Sequence, residues 1–184
     1  MQRNDTAHES LNRLAIGSVR HQRVIALTLS RMTQVDRDPD WVFHQLHDPE
    51  RLLGCVPGGS LTRVIDGDSF EGRIVIPVGP FRFVCAGDGQ IIDSDPAART
   101  ASLMLHALAG AHMPFVRIRM SMAVHDHPRG SEVQMAFRVT VVDRSGLISR
   151  GWLDPIASDL LDRTVRRIKR QLESGSVATG PAAA

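Results

Sequence analysis

Apolar and polar residues alternate with a period of two through much of the middle of the chain. The clearest runs are residues 117–124 and 133–142, where every second position is Ile, Met, Val or Phe. Such alternation is typical of antiparallel strands with one buried face and one solvated face. The pattern predicts strands at residues 24–30, 70–76, 81–86, 117–124 and 133–142, with a turn at residues 125–130.

Two helix starts follow the first strand. Asp38 stands where it can cap a helix whose first residue is Pro39, and Asp48 and Pro49 repeat the same arrangement. Pro57-Gly58-Gly59 then interrupts the chain. The sequence therefore predicts two short helices between the first strand and the rest of the sheet.

After residue 150 the spacing of apolar residues changes to steps of three and four, which predicts one long amphipathic helix. Five basic residues crowd positions 163–170, where cations complement the dipole at the end of a helix. The order of elements predicts an α+β fold in which a curved antiparallel sheet wraps around this helix. A hollow between sheet and helix is a favourable place for a small apolar ligand. The apolar stripe consists of Leu153, Ile156, Leu160, Leu161, Val165, Ile168 and Leu172.

The composition narrows the class of protein. With 184 residues and 42% hydrophobic residues, the chain is long enough for one domain with a substantial core. We expect a polar extension at residues 1–23, the domain at residues 24–173 and a disordered tail at residues 174–184. A net charge of +2 argues against a dedicated nucleic-acid binder, which normally carries a basic face.

The sequence predicts a cytoplasmic protein. Cys55 and Cys85 form neither a disulfide framework nor a metal-ligand spacing, and residues 1–23 lack the apolar stretch of a signal peptide. The uncharged run at residues 100–116 contains two histidines, a glycine and a proline. It is also shorter than the ~20 apolar residues that span a bilayer.

Candidate catalytic and metal-binding residues have simpler structural explanations. His44 and His47 are three residues apart on a predicted helix, but no third ligand accompanies them. His125 and His127 flank an aspartate in a predicted turn, and Asp48 and Glu50 fit a helix cap and first turn. Cys55 has no basic neighbour in sequence that would lower its pKa. We therefore predict no metal site, no bound cofactor and no catalytic residue.

The residues expected to line the hollow are mostly aliphatic and methionine side chains. Aromatic residues make up only 4% of the chain, there is no tyrosine, and methionine adapts well to irregular apolar surfaces. The same methionines would also suit a filled core, and His106 would also suit an outward position. The predicted ligand-binding residues are Phe83, Met104, His106, Met120, Met122, Met135, Phe137, Ile156 and Leu160.

One run of residues resembles a known family. It contains Trp41, Leu46, Asp48-Pro49-Glu50, Leu52 and Cys55-Val56-Pro57-Gly58. This run resembles the CoxG family, named for the G subunit of carbon monoxide dehydrogenase, within the START/Bet v 1-like (SRPBCC) superfamily. Weaker similarity, over residues 24–173, includes Phe70-Glu71-Gly72, Gly79-Pro80, Gly87 and Gly146-Leu147-Ile148.

The resemblance implies a helix-grip fold and an accessory role. Members of the family are associated with molybdenum hydroxylases of the carbon monoxide dehydrogenase type, and either serve membrane attachment or carry a lipophilic partner such as a quinone. The chain ends in a polar tail, which disfavours permanent anchoring, whereas the apolar segment at residues 107–114 suits transient contact with the inner face of the membrane.

The leading hypothesis is a non-catalytic protein that binds a lipid or quinone-like molecule as a partner of a molybdenum hydroxylase. Two alternatives stay open. The first is a polyketide cyclase or aromatase-like enzyme of the same superfamily, for which His106 is the only acid/base candidate. The second is a purely structural assembly factor, which requires a filled interior.

Overall fold

The computed structural model describes residues 23–78, 80–108, 115–143 and 148–174. Within these residues the chain forms seven strands and three helices. In chain order they are β1 (Arg23–Val35), α1 (Pro39–His47), α2 (Pro49–Cys55), β2 (Gly59–Val64), β3 (Ser69–Val78), β4 (Phe81–Asp95), β5 (Thr100–Leu108), β6 (Phe115–His127), β7 (Gly130–Asp143) and α3 (Arg150–Ser174). The predicted N-terminal extension and C-terminal tail lie almost wholly outside the described residues.

The strands form one curved antiparallel sheet in the order β1-β7-β6-β5-β4-β3-β2. This confirms the predicted α+β helix-grip fold. Alternating residues point to one inner face, as the buried register pairs Leu103↔Met120 and Ile25↔Val141 illustrate. The predicted turn at residues 125–130 is shorter than expected, because β6 continues to His127 and β7 begins at Gly130.

Helices α1 and α2 begin where the sequence predicts. A side-chain oxygen of Asp38 accepts a hydrogen bond from the Trp41 N–H at 3.0 Å, and Asp48 accepts one from the Glu50 N–H at 2.9 Å. Each cap satisfies a backbone donor that the first turn leaves without a partner. Both helices bury most of their apolar residues, and Phe43 and Leu53 lie in the same core cluster.

Gly58 allows the chain leaving α2 to approach β3 very closely. Its φ is +76°, a conformation that residues with a Cβ rarely adopt. An added Cβ would lie 2.3 Å from the Val75 carbonyl oxygen. The Val75 N–H donates a 2.9 Å hydrogen bond to the Gly58 carbonyl, which ties this turn to β3.

The core has two parts along α3. The larger part joins the C-terminal half of α3, represented by Ile168 and Leu172, to α1, α2 and the middle strands. The smaller part contains Ile25, Leu27 and Val141, with the first half of α3 packed against it. The helix therefore touches different neighbours at its two ends.

Two arginines, one within β1 and one just after it, bind α3. Arg31 on β1 donates to Asp162 at 2.5 Å and to Ser158 at 2.8 Å. Arg37, which follows β1, donates to the carbonyls of Leu172 and Glu173 in the last turn of α3. These bonds fix how far α3 is rotated about its own axis.

We expect Gly58→Ala to destabilise the fold by about 1–3 kcal/mol, because alanine disfavours the positive φ and its Cβ collides with Val75. Gly54→Ala is the matched control, since its Cβ meets nothing within 4 Å. In a helix that exchange is expected to stabilise by about 0.5–1 kcal/mol. Urea unfolding measures the change in free energy of unfolding for each variant. Equal changes for the two substitutions would contradict this account of Gly58.

The ion pair with Arg31 should make part of the stability depend on pH. The hydrogen bond from Arg31 lowers the pKa of Asp162, and the nearby charges of Arg31 and Arg166 act in the same direction. The stabilisation is therefore complete above the ordinary aspartate pKa of ~3.9 and is lost as the pH falls through the lower folded-state pKa.

We accordingly expect Asp162→Asn to lower the free energy of unfolding at pH 6 and to have a smaller effect at pH 2. Asp93→Asn, at an exposed carboxylate of β4, is the control and should leave the pH profile unchanged. Acid and urea titrations followed by circular dichroism measure this. If the difference in free energy of unfolding between Asp162→Asn and the wild type stays constant from pH 6 to pH 2, the ion pair with Arg31 is not the source of the pH dependence.

Candidate ligand-binding site

A cavity of about 440 Å³ lies between the first half of α3 and the turn that follows α2. Its volume falls within the range of small-molecule sites, about 300–1,000 Å³. Three parts of the chain meet there, namely the turn after α2, the β3–β4 hairpin and one face of α3. The lining residues are Pro57, Gly58, Val75, Ile76, Pro77, Arg82, Pro155, Ile156, Asp159, Leu160 and Arg163.

The cavity is lined by a second apolar face of α3. Ile156 and Leu160 are one turn apart and line the cavity, and both are only half-buried. Leu161 and Ile168 lie on a different face of the helix and are buried in the protein. The helix thus has one face packed in the core and another turned to the cavity.

An aromatic contact joins helix and sheet beside the cavity. Trp152 lies one turn before Ile156, and its ring meets the ring of Phe83 on β4 edge to face, with 6.1 Å between ring centroids. Trp152 is 39% exposed, so this pair borders solvent. Trp152 is therefore a natural spectroscopic reporter of the cavity.

Three charged residues border the cavity. Asp159 and Arg163 form an ion pair across one turn of α3. Arg82, near the start of β4, is exposed and forms no ion pair within the part of the chain that the structure describes. The rest of the lining is glycine, proline and aliphatic residues.

A smaller space of about 40 Å³ lies deeper, beneath α2. Leu53, Phe70 and Leu105 are among the residues around it. The Phe70 ring covers Gly89, where an added Cβ would lie 2.3 Å from a ring atom. Bulky side chains therefore fill most of the sheet's inner face near α2.

The structure brings some of the predicted ligand residues to the cavity and leaves others in the core. Ile156 and Leu160 line the cavity, whereas Phe83 does not line it and instead contacts Trp152, one turn before Ile156. The other inward-facing residues of the prediction pack inside the larger core cluster instead. These core residues are Met120, Met122 and Met135, which are buried, and Phe137, which packs against them.

Met104 and His106 do not face the hollow, and their predicted orientation was wrong. Leu103 and Leu105 take the inner face of β5, so Met104 and His106 fall on the outer face with their partners Arg119 and Arg117. The His106 ring stacks on Phe115, and its Nδ1 lies 3.3 Å from an Asp88 oxygen. The cyclase hypothesis loses its one acid/base candidate inside the hollow.

Most of the remaining lining residues were not predicted. The sequence indicates only that Pro57 and Gly58 interrupt the chain and that Arg82 belongs to a predicted strand. For the helix there was a usable signal, because Asp159 and Arg163 continue the face of Ile156 and Leu160. The sequence contains no comparable signal for the strand residues of the cavity, because their position beside α3 depends on the topology of the sheet.

The histidine pairs take part in local contacts. His47 Nε2 lies 2.9 Å from the Ser94 hydroxyl, and its ring packs beside Phe43. Among the residues that the structure describes, no three His, Cys, Asp or Glu side chains come together in a way that suits a metal ion.

Cys55 is buried and donates a hydrogen bond to the side-chain oxygen of Gln171 on α3. Burial raises the pKa of its thiol to about 11, against a smaller lowering by Arg167. Burial also raises the pKa of Cys85. A raised thiol pKa is the opposite of what a cysteine nucleophile requires.

Solved structures share this architecture. A conserved protein from Geobacillus kaustophilus is 17% identical, with a TM-score of 0.66 over 82% of this chain and 97% of its own. The ZhuI aromatase/cyclase from Streptomyces sp. R1128 is 16% identical, with a TM-score of 0.55 over 87% of this chain and 99% of its own. A protein from Thermus thermophilus is 10% identical, with a TM-score of 0.57 over 83% and 100% of the two chains. The fold is thus a Bet v 1-like helix-grip fold of the SRPBCC class.

The family follows from the sequence match. The profile of the CoxG family, the G subunit of carbon monoxide dehydrogenase, matches residues 32–173, and the chain belongs to this family. A search of curated protein sequences finds no match to the chain. In the described residues, no helix combines the length and apolar character needed to cross a bilayer.

The state of Cys55 leads to a prediction about thiol reactivity. With a pKa of about 11, the thiolate fraction at pH 8 is on the order of one in a thousand. In a Cys85→Ser background we expect iodoacetamide to modify native Cys55 at least about a hundredfold more slowly than the urea-unfolded chain. Mass spectrometry of quenched samples measures the rates. Native modification as fast as that of the unfolded chain contradicts the buried, protonated thiol.

Proposed function

We propose that this protein is a non-catalytic carrier that holds a hydrophobic molecule of the lipid or quinone-like class in the cavity beside α3. The observation that carries the proposal is the cavity of about 440 Å³ against a second apolar face of the long helix. Ile156 and Leu160 form the helix side of the site, and Ile76 belongs to its sheet side.

The physical argument is that half-buried aliphatic side chains gain by being covered. Burial of apolar surface contributes roughly 25 cal/mol per Å², so a ligand that covers Ile156, Leu160 and Ile76 is held without directed bonds. Such a site accepts a range of apolar shapes. Membership of the CoxG family supports the same class of ligand.

We extend the proposal to its partners. As in the family that it belongs to, the carrier would serve a molybdenum hydroxylase of the carbon monoxide dehydrogenase type at the inner face of the membrane. Exposed Arg163, Arg166, Arg167 and Arg170 on α3 support transient contact with anionic lipid, at about 1 kcal/mol for each basic residue near the surface.

The two alternatives have less support. A structural assembly factor requires a filled interior, whereas a cavity lies beside α3. A cyclase requires acid/base groups inside the hollow. His106 lies on the outer face of β5, and Asp159, which lines the cavity, is held in an ion pair with Arg163. A carrier is therefore the function that we favour.

The fluorescence of Trp152 can report ligand binding. The chain has two tryptophans, and Trp41→Phe leaves only Trp152, beside the cavity. We expect decylubiquinone to quench its fluorescence saturably, and native mass spectrometry of freshly purified protein to show a bound apolar molecule. Absence of both signals contradicts the proposal.

A cavity-filling substitution locates the site. In the Trp41→Phe background we expect Ile156→Phe to weaken binding at least about tenfold, because the larger ring occupies ligand space. Val84→Phe is the matched control, since Val84 is exposed on the outer face of β4 and lines no part of the cavity. Equal affinities of the two variants would place the ligand elsewhere.

A further inference from the structure

An apolar row crosses the outer face of the sheet at one end of its strands. In register, it runs from Val24 on β1 through Val142 and Phe115 to Leu108 on β5 and Ala86 on β4. Val24 is 61% exposed and Leu108 is 57% exposed. Five adjacent strands at about 4.8 Å span roughly 19 Å. A continuous exposed apolar surface, unlike a single exposed residue, is typical of an interaction site.

The Phe115 ring in the middle of the row is contacted by two neighbouring side chains. The His106 ring stacks on it, with 5.9 Å between ring centroids and 20° between planes. The guanidinium carbon of Arg117 lies 5.8 Å from the ring centre. His106 in turn contacts Asp88 on β4. Because these contacts already restrict the ring, covering it costs little further side-chain entropy.

A band of arginines lies directly behind the apolar row. Arg117 follows Phe115 by two residues on β6, and Arg119 stands directly opposite Arg138 of β7 in the register. Like charges directly opposite one another destabilise a sheet. The outward positions of residues 115–123 and 134–142 carry no acidic side chain that could offset this repulsion. An anionic surface placed against the band would offset it.

The outward residues of β6 and β7 change character in a fixed order along the strands. Behind the arginine pair come Ser121 and Ala136, and Glu132 follows near the far end of β7. At about 3.4 Å per residue, the arginine pair lies about 14 Å from the apolar row. Acyl chains, phosphates and water follow in the same order through the surface of a bilayer, and arginine side chains extend to reach the phosphates. The order therefore fits an anionic bilayer.

We propose that this surface docks the protein on a bilayer that contains anionic phospholipid. We call the apolar row together with Arg117, Arg119 and Arg138 the outer-face patch. The apolar row enters the boundary between head groups and acyl chains, and the arginines bind the phosphates. The inference rests on the proposed function, in which the carrier contacts the membrane, and it assigns that contact mainly to the sheet rather than to α3.

A second copy of the chain fits the same surface less well. In a symmetric dimer each patch would face its own copy, which brings the two arginine bands close together. The resulting repulsion opposes the gain from covering the apolar rows. We therefore expect the chain to be monomeric in the absence of lipid.

Binding of the full chain to vesicles tests the proposal. Vesicles of phosphatidylcholine with about 30% phosphatidylglycerol are compared with vesicles of phosphatidylcholine alone, in about 0.1 M NaCl, and sedimentation of the vesicles gives the bound fraction. We expect the wild type to bind the anionic vesicles at least about tenfold more tightly than the neutral ones.

Two pairs of variants locate the contact. Arg119→Gln/Arg138→Gln should weaken binding to anionic vesicles about thirtyfold, and its matched control is Arg166→Gln/Arg170→Gln, which removes the same charge from α3. Leu108→Ser should weaken binding about tenfold. Its control is Met32→Ser, since Met32 is also an outward residue, 61% exposed, at the other end of β1. Both controls should change binding less than threefold.

The outcomes separate this inference from the proposed function. If the wild type binds neither kind of vesicle, the inference fails together with the proposed membrane contact, which leaves this face to a protein partner, whereas ligand binding is judged separately from Trp152. If either control weakens binding as much as its partner variant, the membrane contact stands and its assignment to the outer-face patch is overturned. Sedimentation velocity without lipid checks for a second copy, and a dimer that Leu108→Ser dissociates would also overturn the assignment.

Discussion

One helix has to cover a sheet that is wider than itself, and the rest of the structure depends on this mismatch. Seven strands spaced about 4.8 Å apart span roughly 29 Å, whereas a helix with its side chains is about 10–12 Å wide. Helix α3 packs mainly on β1 and α2, while α1 packs on β6 and β7 and α2 packs on β2. In the part of the chain that the structure describes, no helix packs closely on the inner face near the β3–β4 hairpin, and the cavity lies there.

The rotation of α3 decides which side chains meet that space. Ser158 and Asp162 lie toward β1, where Arg31 binds both, and Arg37 holds the last turn. With those contacts fixed, Leu161 and Ile168 enter the core, and the face that includes Ile156 turns toward β3. The polar contacts at the edge of the sheet thus control the composition of the apolar site, although none of them lines it.

The sequence predicts most of the fold because its strongest signals are local. Alternation within a strand and the cap at Asp38 need only neighbouring residues, and the structure confirms both. The orientation of His106 could not be obtained in this way, because residues 100–116 carry no charged residue whose spacing shows which face is solvated. The cavity is even harder to predict from the sequence. Gly58 and Val75 come from distant segments that β-sheet pairing brings together, and Ile156 reaches them only through the position of α3.

The segment Cys55-Val56-Pro57-Gly58 joins the stability of the fold to the site. Cys55 is buried and bonded to Gln171 near the end of α3, whereas Pro57 and Gly58 line the cavity near its beginning. Because Gly58 must also approach β3 at a positive φ, a change there alters the core and the cavity together. Ile156 and Leu160 have no comparable structural duty, since they are half-buried on the cavity face of α3. Ligand preference can therefore be altered through the cavity face of the helix without changing this segment.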